Sequence, residues 1–119
     1  CRVAAILTDE EQKKLEQELS KLPAGISVPL KEKWTIFKSS DKGCPSCNHG
    51  YKGRIGVYEI ILIDSQMEGM IMKEPSEFEI KKEAVRQGQI NIRQDGLLKI
   101  LAGVTDFSEV NRTVGEPED

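Results

Sequence analysis

Aromatic side chains are scarce in this sequence: one Trp, two Tyr and three Phe among 119 residues. Ile, Leu and Val must therefore supply most of the packing. No apolar run approaches the roughly 20 residues that cross a bilayer, and no charged-then-apolar signal sequence opens the chain. There is no basic excess either. Seventeen Lys and Arg against 20 Asp and Glu leave a net charge of −3 and a pI near 5.3, which argues against a general nucleic-acid binder. Cysteine is limited to three residues, an odd number that cannot all pair, so reduced thiols of the cytoplasm fit better than a disulfide framework. The first residue is not Met, which fits a piece of a longer protein. What remains is an ordered, soluble composition, 38% hydrophobic and 31% charged, sized for one domain or two small lobes.

Two of the three cysteines stand together, in Gly43-Cys44-Pro45-Ser46-Cys47. Thiols three positions apart, with Pro between them and Gly close on either side, make a tight turn in which both sulfurs can face one point. That is half of a tetrahedral zinc site, which takes four ligands. Cys1 is the remaining thiol and a third candidate ligand. His49 is a possible imidazole ligand, but two residues past Cys47 in the same turn its simultaneous reach is awkward, and an exposed loop position suits it better. Redox exchange by the pair lacks the βαβ setting that activates such thiols.

Elsewhere the chain is punctuated by helix caps. Thr8-Asp9-Glu10-Glu11 reads as a capping box opening a helix with Leu15, Leu19 and Leu22 on one stripe, ended by Pro23 and Gly25. Residues 26–33 read as a loop and Trp34-Thr35-Ile36-Phe37 as a short β-like stretch. Ile55 to Ile63 is dense in β-branched residues and predicts a well-buried strand. Ser65 can cap a short helix carrying Met67, Met70 and Ile71, broken by Pro75; these methionines, with Met72, read as core filling rather than a soft-metal surface. Ser76 with Glu79 forms a second capping box, and Gly88 suits the end of that helix. Asn91 can cap a segment that stops at Gly103, and Thr105 or Asp106 a last short helix. The tail, 114–119, reads as acidic and disordered. The predicted fold class is α+β: a small zinc-knuckle lobe, one or two strands, then a bundle of short helices. Residues 1–53 form the metal-binding segment with its leading helix, and 54–113 the last core strand and a helical C-terminal lobe.

Several motifs in order carry a resemblance: the cysteine turn, Gly50-Tyr51-Lys52-Gly53-Arg54, Ile55-Gly56-Val57-Tyr58-Glu59, the Ala84 to Gly88 segment, Asp95-Gly96-Leu97-Leu98-Lys99 and Gly103-Val104-Thr105. Together they resemble the C-terminal portion of the type II secretion and type IV pilus assembly ATPase family. The resemblance implies a cytoplasmic homohexamer at the inner face of the cell membrane. Its partners would be an upstream ATPase domain, neighbouring subunits and an inner-membrane platform protein, with no direct nucleic acid. It also implies that Cys1, Cys44 and Cys47 ligate Zn²⁺ and that Cys1 is the second cysteine of a pair whose first member lies just upstream. In the alternative register Cys1 is the first, and Ala4 stands where a ligand is lost. The strand from Ile55 would complete a RecA-like sheet in the parent. No Gly-x-x-x-x-Gly-Lys-[Ser/Thr] phosphate loop is present, so ATP and Mg²⁺ belong only to the intact parent, and this chain should be inactive alone.

Three further readings concern charged residues. Tyr51, Lys52 and Arg54 are either a phosphate or subunit contact, or a Tyr packed on the turn beside two solvated cations. In a free-standing zinc-ribbon module, the alternative to an ATPase segment, they would contact protein or RNA. Glu59, inside the predicted strand, needs a partner such as Arg54 or a Lys of the tail. Asp95 and Lys99 are spaced for an i,i+4 ion pair.

Overall fold

Each helix begins where a polar side chain takes up its first free amides. In the computed structural model, which describes residues 1–29 and 34–116, Thr8 and Glu11 close the capping box of α1 (Asp9–Ser20). Ser76 with Glu79 does the same for α3 (Glu77–Arg86), and Asn91 with Gln94 for α4 (Ile92–Leu101). Asp106 caps α5 (Phe107–Val114). The cap of α2 (Ser65–Ile71) is Asp64, not Ser65, because the Asp64 carboxylate receives the Met67 amide at 2.9 Å and leaves Ser65 inside the first turn. The stops follow the same logic. Gly88 and Gly103 take φ of 75° and 77°, and the amides beyond them, Gln89 and Val104, bond back to the carbonyls of Ala84 and Lys99, the glycine-terminated helix ending.

The sheet has two antiparallel strands, β1 (Arg2–Ala5) and β2 (Ile36–Ser39), with Arg2 opposite Ser39 and Ala5 opposite Ile36. β1 carried no sequence signal, being four residues of mixed polarity. The β-like stretch expected at 34–37 lies two residues further on. Its Ile36 enters a core with Leu15 of α1, Leu97 and Ile100 of α4 and Val110 of α5, where Leu97 and Ile100 have 0% exposure. Leu7, Leu19, Trp34 and Phe107 close its sides. The core thus mixes residues from both ends of the chain. The loop expected at 26–33 and the acidic tail are only partly within the described residues, since 30–33 and 117–119 lie outside them.

Ile55–Ile63 is the main departure from expectation. It forms no strand, its backbone pairs with no other backbone among the described residues, and Ile60 and Leu62 are each 65% exposed. The physical reason is the lack of a neighbouring strand among the described residues. Helix side chains do the pairing instead: Asp95 accepts from the Tyr58 amide at 2.9 Å, while the Gln87 side chain accepts from the Leu62 amide and donates to its carbonyl, each at 2.8 Å. Glu59 is exposed, and among the described residues its partner is neither Arg54 nor a Lys; it receives the Ile92 amide at 2.9 Å, a favourable place for a carboxylate at the start of α4.

Candidate metal centre

Two turns and one strand pairing bring the cysteines together. The Ser40 amide donates to the Cys1 carbonyl at 2.7 Å, carrying the β1–β2 ladder one step past Arg2 and laying Cys1 beside the start of the cysteine turn. The Cys47 amide donates to the Cys44 carbonyl at 3.1 Å, which closes that turn. A second, tighter turn follows at once. Asn48 and Tyr51 exchange both backbone hydrogen bonds, at 2.7 and 3.0 Å, around His49 and Gly50, whose φ of 51° and 87° are both left-handed. Two left-handed central residues define the type I′ hairpin.

Gly50 is required on two counts. Besides its φ, a Cβ there would lie 2.6 Å from the Ser39 Cβ and 3.0 Å from the Ser40 backbone. The hairpin therefore rests directly on the segment that holds Cys1. The Sγ atoms of Cys1, Cys44 and Cys47 all lie within 4.8 Å of one another, and no other described His, Cys, Asp or Glu joins a group of this kind. A tetrahedral ion with Zn–S bonds of about 2.3 Å spaces its sulfurs about 3.8 Å apart, inside the range over which these three sulfurs lie, so the donor set suits zinc. The Cys44 amide donates to the Cys47 Sγ at 3.0 Å. Together with the Gly50 amide it holds the Cys47 thiol below its ordinary value of 9.0 against the opposing effect of desolvation, which favours the thiolate a metal needs. His49 is exposed and outside the group.

The other predicted residues are placed as follows. Tyr51 turns inward, its hydroxyl donating to both oxygens of Asp106 at 3.0 and 2.8 Å. Burial, ahead of the neighbouring carboxylate, raises its pKa above 10.0. Lys52 and Arg54 are exposed. Asp95 and Lys99 form the i,i+4 ion pair, and the ammonium also lies 5.7 Å from the Tyr58 ring centroid. Met67 is buried, whereas Met72 is 85% exposed.

Two residues have roles that sequence reasoning missed. Asp106 was expected only as a possible cap, and Arg93 not at all. The Arg93 guanidinium meets both Glu18 oxygens at 2.7 and 3.1 Å and also donates to Asn111 Oδ1 and the Gly115 carbonyl, tying α1, α4 and α5 together. Its partners are remote in sequence, so no local pattern announces them.

The family model of the type II/IV secretion system protein matches residues 4–112. This chain belongs to that family. Among curated relatives, it is 35% identical over 91% of its length to the type II secretion system ATPase E of Vibrio cholerae. It is 42% identical over 96% of its length to the type IV pilus assembly ATPase TfpB of Acinetobacter baylyi. Identity with the type IV pilus assembly ATPase PilB of Pseudomonas aeruginosa is 41% over 61% of the chain. The chain spans 19%, 18% and 13% of these relatives, respectively. In this type II/IV secretion system family member, no helix among the described residues is long and apolar enough to cross a membrane.

Proposed function

We propose that this chain is the structural, zinc-binding C-terminal segment of a hexameric cytoplasmic ATPase that powers type IV pilus assembly or type II protein secretion. The observation that carries the metal role is the convergence of three thiols from opposite ends of a 47-residue span. A core of this size gains from a metal staple, because binding free energy adds directly to folding. Cys1, Cys44 and Cys47 hold the ion, and the fourth donor is the first cysteine of a pair completed by Cys1. An ion bound there would offset part of the thiolates' negative charge and hold them together; the residues around it fix the turn, the hairpin and the first strand as one unit. The secretion and pilus roles rest on the relatives' names, and ATP chemistry belongs to a nucleotide domain outside these residues. The platform protein at the inner membrane face and neighbouring subunits are the partners.

Chelator competition tests the metal role. The chain is expected to bind one zinc weakly. Cys44→Ser should abolish binding, and extension by the upstream residues should tighten it by orders of magnitude. Equal affinity with and without the extension would overturn the fourth-ligand assignment. Calorimetric titration with ATP and Mg²⁺ is expected to give no saturable binding, as no phosphate loop is present; micromolar saturation would show otherwise.

A further inference from the structure

Asp106 is 5% exposed, and each of its hydrogen bonds leads to a different part of the molecule. Oδ1 receives the Glu109 amide at 2.9 Å, the cap of α5. Oδ2 receives the Ser39 amide at 3.2 Å, at the end of β2 and next to the Ser40 amide that holds the Cys1 carbonyl. Both oxygens receive the Tyr51 hydroxyl, from the hairpin that begins one residue after Cys47. One buried carboxylate therefore joins the strand end that positions Cys1, the hairpin that follows Cys47, and the first turn of the last helix. A buried carboxylate is costly unless its lone pairs are filled, and here they are filled only while all three parts are docked.

We infer that Asp106 is a positioning residue for the metal centre and couples metal binding at Cys1, Cys44 and Cys47 to the docking of α5. The inference rests on the zinc reading above. Separation of Cys1 from Cys47 pulls Ser39 away from Tyr51 and breaks the Asp106 arrangement; closure of the sulfurs on an ion holds both donors in place. Because coupling is reciprocal, α5 must tighten the metal site by the factor by which the metal tightens α5.

The test is zinc affinity of the intact chain by chelator competition, alongside hydrogen exchange of the α5 amides. Tyr51→Phe keeps the ring and leaves Asp106 its bonds to Ser39 and Glu109; it removes the hydroxyl's bonds to Asp106 and to the Ser39 side chain, the polar links of the hairpin to the α5 cap and the strand end. It is expected to weaken zinc binding about three- to tenfold, somewhat less than loss of a direct partner of a metal ligand. Zinc should slow exchange in α5 of the wild-type chain and do so less in Tyr51→Phe. Arg93→Gln, which cuts the ties to Glu18, Asn111 and Gly115 and touches none of Asp106, Ser39 and Tyr51, is expected to lower Tm without changing zinc affinity in conditions where α5 stays docked. Asp106→Asn adds a second measure, and if it fails to fold, Tyr51→Phe decides. Wild-type affinity in Tyr51→Phe, or an α5 indifferent to zinc, would overturn the coupling while leaving the metal site standing. A wild-type chain that takes up no zinc would remove the zinc reading itself, and the coupling with it.

Discussion

At the residue scale, the hairpin after the cysteine turn holds two left-handed residues with different tolerances. His49, at φ 51°, is exposed, so His49→Gly is expected to shift stability by no more than about 0.5 kcal/mol. Gly50 combines φ 87° with a Cβ position that Ser39 and the Ser40 backbone already occupy. Gly50→Ala must both strain the turn and push the hairpin off the strand end that carries Cys1. The expected cost is about 1–3 kcal/mol, read as a lowered Tm, together with weaker zinc binding. Unchanged values for both would mean that the hairpin does not rest on Ser39 as described.

At the scale of elements, the α4–α5 contact depends on what Gly96 leaves out. A Cβ there would meet Val110 Cγ1 at 3.0 Å and Cγ2 at 3.4 Å, and Val110 is a core residue. Gly96→Val is expected to destabilise by about 1–3 kcal/mol through overpacking, with chemical denaturation as the measurement. The α2–α3 pair is held differently, by ions. Arg86 of α3 bridges Glu83 on its own helix and Asp64, the cap of α2. The Arg86 hydrogen bond holds the Glu83 carboxyl below its ordinary value of 4.5, and the Met67 amide, ahead of Arg86, holds Asp64 below 3.8. Both folded values lie below the unfolded ones. The stabilisation is therefore complete above the ordinary values and is lost as pH falls through the lowered ones. Denaturation midpoints measured from pH 6 down to about pH 3 should fall in wild type, with a shallower fall in Glu83→Gln.

At the scale of the molecule, shape and surface agree. The radius of gyration is 17.2 Å, against about 13.5 Å for a compact globule of this length. The segment 55–63 exposes Ile55, Ile60, Leu62 and Ile63 and is pinned to the helices by side chains only. An apolar, extended edge of this kind invites pairing with another chain. Within the longer ATPase proposed above, the nucleotide-binding sheet would supply the neighbour. Alone, the chain is expected to form concentration-dependent oligomers in sedimentation velocity, and Ile60→Lys should shift it towards monomer. A clean wild-type monomer would show that 55–63 needs no cover.

The local signals were legible because they act between residues three or four apart. Thr8 with Glu11, Ser76 with Glu79, the glycine stops at 88 and 103, the cysteine turn and the Asp95–Lys99 pair all follow from short-range geometry, and each was readable without a fold. The order of the motifs was likewise enough to indicate the family. Strand pairing was not legible in this way: β-branched density in 55–63 records a preference for a pleated, covered surface, but a strand exists only where a neighbour offers amides and carbonyls. The weakly patterned Arg2–Ala5 found such a neighbour in β2; among the described residues the strongly patterned segment did not. The Asp106 and Arg93 networks were equally invisible, since their partners lie up to 67 and 75 residues away. Tertiary structure alone decided those contacts, because the energy of a long-range hydrogen bond depends on a distance that only packing sets.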